Sequence, residues 1–280
     1  MISITKVRRS ILITGCSSGI GLASARMMKE RGWRVLATAR RGEDLAMLEG
    51  QVGVEALPLE LADPASVAAC AEEALSRTGG TLYALFSNGG FGQVGAVEDI
   101  SSELLRRQME INVVGGHELM RRVVPAMRRC GEGRIVMCSS VLGLVSGPYR
   151  GAYCASKFAL EALSDALRLE LQGTGIRVSI IEPGPIRSRF LERALANFKQ
   201  SIDIEASPHR ANYLRRLAAM EAGGKSVFKL EPEAVACKLV HALESPRPKA
   251  RYFVTLPTYM AAAAKRLLPT WLADWIAQGL

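Results

Sequence analysis

The sequence predicts an α/β fold: a doubly wound, parallel sheet of about seven strands with helices on both faces and a C-terminal helical extension. Three observations carry this. Short apolar runs alternate strictly with helical stretches from residue 10 to residue 181. The strand candidates are apolar along nearly their whole length, as strands covered on both faces must be. A glycine-rich turn, Gly15 to Gly21, joins the first strand to the first helix. Right-handed crossovers from such a unit wind a sheet in both directions.

Ser10 to Thr14 is the first buried strand, bounded by charge and glycine. Ile20, Leu22, Ala23, Met27 and Met28 then recur at helical spacing until Gly32 ends the helix. Residues 34–38 form the second strand and 43–49 a short helix. A third strand is expected over Val52 to Leu61. Asp63-Pro64 caps and starts a helix running to about Ser76. Residues 82–86 are strand four, and one long amphipathic helix follows from Glu103 to Arg129. Strand five is 134–138, the next helix 152–172, and strand six 176–181. Residues 185–230 lack strand or helix periodicity and hold prolines, paired glycines and basic residues. They are expected to form a mobile lid above the sheet. Residues 251–255 look like a last strand, and the tail 256–280 is apolar and helical. With no repeat and no linker, the expectation is one domain over 1–280.

Composition narrows the function classes. The chain has 280 residues, 49% of them hydrophobic and 22% charged, which is enough for one large core and excludes wholesale disorder. Net charge is +9, but the basic residues are scattered, so no nucleic-acid partner is expected. The six cysteines show no CxxC spacing and there are three histidines. They read as reduced thiols of a cytoplasmic protein rather than as a zinc site. The N-terminal run lacks a signal-peptide cleavage site, and no run of 18 apolar residues could span a membrane.

The turn carries the first chemistry. Gly15 permits a tight bend, while Gly19 and Gly21 let backbone approach a pyrophosphate and pack helix on strand. Cofactor choice is read at the end of the second strand. No acid stands in Ala37-Thr38-Ala39-Arg40-Arg41, and an acid there would repel a ribose 2′-phosphate. Arg40 offers a planar fork to that phosphate, so NADP is favoured. Tyr153 and Lys157, four residues apart, share one face of a helix. An ammonium there, together with the charge of an oxidised nicotinamide, would lower the tyrosine pKa from about 10 toward 7.

With Ser140 placed 13 residues before Tyr153, the chain resembles the short-chain dehydrogenase/reductase family over roughly residues 8–260. The TGxxxGxG motif of that Rossmann-type family falls on Thr14 to Gly21, including Ser17, Ser18 and Ile20. Its Asn-Ala-Gly element falls on Asn88-Gly89-Gly90, and its Pro-Gly turn on Pro183-Gly184, followed by Ile186 and Ser188. The resemblance implies Asn112, Ser140, Tyr153 and Lys157 as the catalytic set. In it Tyr153 protonates a carbonyl oxygen, Ser140 orients that oxygen, Lys157 holds the nicotinamide ribose and Asn112 supports a water chain. It further implies that Glu60 and Leu61 flank the adenine. Two departures stand out: Gly89 replaces the usual alanine, and Glu60 stands where aspartate is usual.

Within the family the runs SSVxGL, RGAYxASKxALEAxSDALRxEL and VSxIEPGPIR resemble the branch of retinol and 17β-hydroxysteroid dehydrogenases, and most closely its bacterial NADP-dependent aldehyde reductases. This implies an apolar aldehyde, ketone or alcohol as substrate. Leu142, Val145, Phe91, Tyr149 and Phe190 are the expected pocket walls. The same resemblance implies a homodimer or tetramer built on helices 103–129 and 153–172. Leu267, Leu268, Trp271, Leu272, Trp275 and Ile276 form an apolar stripe, read as packing against the domain or a second subunit, or as a weak membrane-surface contact. The rival reading is a non-catalytic NADP-binding sensor on the same fold.

Overall fold

In a computed structural model, which describes residues 9–221 and 228–277, seven parallel strands lie in the order β3-β2-β1-β4-β5-β6-β7. They are β1 Ser10–Ile13, β2 Arg34–Ala39, β3 Glu55–Pro58, β4 Ala84–Ser87, β5 Gly133–Cys138, β6 Ile176–Glu182 and β7 Arg251–Phe253. The chain winds outward through β2 and β3, then returns to start the other half at β4. The crevice beyond β1 and β4 is therefore the switch point where a doubly wound sheet binds ligands.

One face is covered by α1 (Gly19–Glu30), α2 (Gly42–Met47) and α9 (Glu233–Glu244), through Ala25, Met28, Leu48, Val235 and Leu239. The other is covered by α3 (Pro64–Arg77), α5 (Gly115–Cys130) and α6 (Gly151–Glu170), through Val67, Cys70, Leu119, Val123 and Leu160. Ile11 and Ile13 face the first layer and Leu12 the second. This two-sided burial explains why β1 reads as an unbroken apolar run. Asp63 caps α3 by accepting from the Ala65 N–H at 2.9 Å, with Pro64 at the first helical position.

Four expectations are corrected. The third strand is confined to Glu55–Pro58. A π-helical turn, Leu48–Val52, precedes it and ends at a left-handed Gly53. Past Pro58 the chain leaves the ladder, and Leu61 packs where a side chain at Gly115 would otherwise stand. The long helix 103–129 is interrupted: α4 (Ser102–Met109) passes through a π-helical turn, Glu110–Val114, into α5. The segment 185–230 is largely helical rather than aperiodic, with α7 (Phe190–Ser201) and α8 (Arg210–Glu221). The tail breaks at Leu268 into α10 (Leu256–Leu267) and α11 (Thr270–Ala277), so the stripe is not one face. Leu267 and Trp271 are exposed and so do not pack against the domain, and the side chains of Trp275 and Ile276 lie outside the described residues. Helix α9 has no counterpart in the sequence reading.

Candidate active site

The glycine turn is built around Thr14. Its hydroxyl accepts from the N–H groups of Asn88 at 2.9 Å and Gly89 at 2.8 Å. The Asn88 amide donates to the Thr14 carbonyl at 3.0 Å and, longer, to Gly15. These bonds lock the end of β1 to the end of β4 across the switch point. Gly15 holds φ +73°, where L-residues are strained, and a side chain at Gly21 would overlap the Gly15 carbonyl. A methyl group at Gly89 would meet Leu61 Cδ1 at 2.9 Å, which accounts for glycine where alanine is usual. The hydroxyl of Ser18 makes no cap bond at the start of α1. The first amides of α1 therefore stay available, and beside half-buried Ser17 and Ile20 they fit a pyrophosphate. Ser188 closes this turn from above, since a Cβ on Gly19 would lie 3.0 Å from the Ser188 Cβ.

The π-helical turn presents Asn112 inward. Its amide nitrogen donates to the Phe91 carbonyl at 2.9 Å and to Ser156 Oγ at 3.1 Å. Its oxygen accepts the Phe91 N–H at 3.0 Å. Asn112 thus braces the loop carrying Gly90 and ties it to α6. On α6, half-buried Tyr153 is hydrogen-bonded to Ser140. Ser140 also accepts from the Leu142 N–H at 3.1 Å, starting a short turn. Lys157, buried one turn on, donates to the Cys138 carbonyl at 2.8 Å, with Nζ 5.7 Å from the Tyr153 ring centre. Val141 N–H donates to the Pro183 carbonyl at 2.8 Å, and a side chain at Gly184 would overlap Thr255. The Pro183-Gly184 turn is thereby held beside Ser140, and Ile186 beyond it bridges Leu230.

The electrostatics of the chain by itself are dominated by burial. Burial pushes the Tyr153 phenol well above its ordinary range; the Ser140 hydrogen bond and the Arg150 charge pull it back only in part. Burial likewise lowers the Lys157 ammonium, opposed by Cys138 and Glu161. Burial is the largest influence on Tyr153 and favours the neutral phenol.

At the adenosine end Arg40 is exposed and lies 3.6 Å from Glu60. Glu60, expected at an adenine, thus faces the arginine expected at the phosphate. Sequence reading missed that Arg193 of α7, itself beside Arg189, brings its charge close to Arg40 and Arg41. The i, i+4 spacing of Arg189 and Arg193 is the only signal that could have grouped them. Phe190 does cover the site: its ring centre is 5.6 Å from that of Tyr153. Tyr149 is drawn away from the expected wall into a clasp with His209 and Tyr213, at ring distances of 5.5 Å each.

The sequence profile of the short chain dehydrogenase family matches residues 9–198. The chain belongs to that family. It is 46% identical to the uncharacterized oxidoreductase YbbO of Escherichia coli strain K12 over 273 residues, covering 98% of this chain and 95% of that one. It is 35% identical to human 17-beta-hydroxysteroid dehydrogenase type 1, covering 89% of this chain and 78% of that one. A short-chain dehydrogenase structure from Streptomyces avermitilis superposes with TM-score 0.78 at 29% identity, covering 96% of both chains. The protein is thus an oxidoreductase of the short-chain dehydrogenase family, whose members act on small substrates with a nicotinamide cofactor. Among the described residues there is no cluster that could hold a metal ion and no helix long and apolar enough to cross a membrane.

Proposed function

We propose that this protein reduces apolar aldehydes or ketones with NADPH. The observation that carries the reading is the half-buried Ser140–Tyr153 pair, with Lys157 one turn away and the Phe190 ring tilted over that of Tyr153. NADPH, when bound, supplies the hydride. Ser140 holds the carbonyl oxygen and Tyr153 delivers the proton to it, as positioned general acids do. A phenol whose pKa is raised by burial is protonated at neutral pH, the state that reduction requires. Lys157 holds the cofactor ribose, and Asn112 supports the route by which Tyr153 regains its proton. Gly15, Ser17, Ser18, Gly19, Ile20 and Gly21 seat the pyrophosphate; Asn88, Gly89 and Gly90 line its other side; Glu60 and Leu61 flank the adenine. Arg40 takes the 2′-phosphate, and Pro183, Gly184, Ile186 and Ser188 hold the carboxamide end. Exposed Leu105, Val114, Leu163 and Leu169 on α4 to α6 support a homodimer or tetramer through these helices. NADPH oxidation against octanal, retinal, a 17-ketosteroid and a polar aldose tests the reading. Turnover restricted to the aldose overturns the apolar class.

A further inference from the structure

The loop after β4 is gripped from two sides. On one side, Gln108 of α4 and Asn112 of the π-helical turn hold its backbone. Both side-chain nitrogens donate to the Phe91 carbonyl, at 3.0 Å and 2.9 Å. The Gln108 oxygen accepts the Gln93 N–H at 2.7 Å, and the Asn112 oxygen accepts the Phe91 N–H at 3.0 Å. On the other side stands α7. Asn197 Nδ2 donates to Gln93 Oε1 at 2.6 Å, and Gln93 Nε2 donates to Ser201 Oγ at 3.1 Å. Between Phe91 and Gln93, Gly92 lies against the Phe190 ring of the same helix. A Cβ there would stand 3.0 Å from Phe190 Cζ and 3.7 Å from Tyr153 Cδ2.

Gln93, Gln108, Asn112 and Ser156 are each at most 4% exposed, and all four side chains are hydrogen-bonded. Burying polar groups is unfavourable unless they are partnered. A fully partnered buried network, in return, fixes one arrangement of the parts it joins. This network is continuous. It starts at Asn197 and Ser201 on α7, passes through Gln93 to Gln108, and reaches Asn112 at their shared acceptor, the Phe91 carbonyl. From Asn112 it continues through Ser156 Oγ at 3.1 Å, which donates to the Tyr153 carbonyl at 2.7 Å. The helix that lays Phe190 over Tyr153 is thus bonded, through Gln93, to the backbone of the catalytic tyrosine.

We propose that Gln93 is a positioning residue that couples the seating of α7 over the site to the placement of Asn112 and Tyr153. The proposal rests on the carbonyl-reductase reading above, in which those two residues deliver and restore the proton. An apolar chain that packs against Phe190 draws α7 onto the site, and Gln93 passes that seating to the reacting groups. Binding energy far from the carbonyl is then expressed in turnover as well as in affinity.

Asn197→Ala cuts the network from the helix side and spares its buried amides. With NADPH and octanal, kcat should fall roughly three- to tenfold, the equivalent of one lost hydrogen bond, while the Kd of NADPH stays the same. A helix that is merely looser would raise the KM of octanal and spare kcat, and that result overturns the coupling. Gln93→Leu keeps the backbone bond to Gln108 and should lower kcat at least as much. Adding Asn197→Ala to it should then cost nothing further, whereas additive losses overturn the proposal. A second readout needs no substrate. In Asn197→Ala the Phe91 amide hydrogen, held by Asn112, should exchange with solvent several-fold faster than in the wild type. Unchanged exchange overturns the link. If the wild type reduces neither octanal nor any other carbonyl compound, the reductase reading fails, and the exchange rates alone decide the coupling.

Discussion

Glu182, the last residue of β6, accepts a hydrogen bond at 2.7 Å from the Arg251 guanidinium at the start of β7. The same guanidinium binds Glu161 and Asp165 of α6. One cation thus gathers three carboxylates beneath the Pro183-Gly184 turn and ties α6, which bears Tyr153 and Lys157, to two strands. Burial and the Glu161 charge raise the Glu182 pKa to about 7 from 4.5, although Arg251 opposes this. A pKa raised on folding means that the native state binds the proton more tightly than the unfolded chain. Its contribution is complete below about pH 4.5 and is lost as pH rises through 7. Relative to Glu182→Gln, the wild type should lose roughly 1–3 kcal/mol of stability between pH 5 and pH 8. Urea unfolding at both pH values checks this, and equal pH dependence in the two proteins refutes it.

Tyr153→Phe should retain cofactor binding and lose on the order of 10²–10⁴ in kcat. Because burial raises the phenol pKa, reduction by the wild type should show no loss from Tyr153 deprotonation up to about pH 9. Steady-state rates across pH decide both points. Retention of more than about a tenth of kcat would remove Tyr153 from its role.

Cofactor preference should follow Arg40, whose only ion-pair partner among the described residues is Glu60. Losing a charge-assisted phosphate contact costs roughly ten- to a hundred-fold in Kd. Arg40→Ala should weaken NADPH by that factor and leave NADH nearly unchanged. Arg193→Ala should act in the same direction but less, since its charge adds to the field around Arg40 rather than making the contact itself. Fluorescence titration with both cofactors measures this; equal weakening of the two shifts the assignment to Arg41.

Each methylene buried under Phe190 should add about 0.8 kcal/mol, close to fourfold in kcat/KM. Medium-chain aldehydes should outperform propanal by about two orders of magnitude before the gain saturates. A flat profile from three to ten carbons would show that the pocket buries no chain.

Tyr213 is one of the fastenings of the helical segment proposed as a lid. The Tyr213 hydroxyl accepts from the Ala96 N–H at 2.7 Å and donates to Asp99 at 2.5 Å, above a small cluster of Phe198, Ile202 and Ala96. Tyr213→Phe leaves a buried N–H unpartnered, at about 1–3 kcal/mol. It should raise substrate KM and hasten proteolysis within residues 190–213, while far-ultraviolet circular dichroism stays the same. Unchanged cleavage rates would place the lid's stability elsewhere.

Much of this protein was decided by local sequence. Strands buried on both faces must be apolar throughout, so six of the seven strands could be read with close boundaries. A tight turn at positive φ demands glycine, so Gly15 and Gly19 announced themselves. The i, i+4 spacing of Tyr153 and Lys157 needs no tertiary information to share a face, and the family resemblance put the serine at Ser140, 13 residues before Tyr153. Other features arise only when distant segments meet. Helix α8 is weakly patterned, and the burial of α7 and α8 comes from a small cluster closed against residue 96. The π-helical turn at Asn112 is set by its bonds to Phe91 and Ser156, 21 and 44 residues away. Burial raises the Tyr153 pKa in the chain by itself, and Arg251 found its three carboxylates across 69 to 90 residues of chain. Periodicity and turn chemistry act over a few residues and are written in the sequence. Desolvation and the pairing of charges depend on which parts of the chain exclude water together, and the tertiary structure alone decides that.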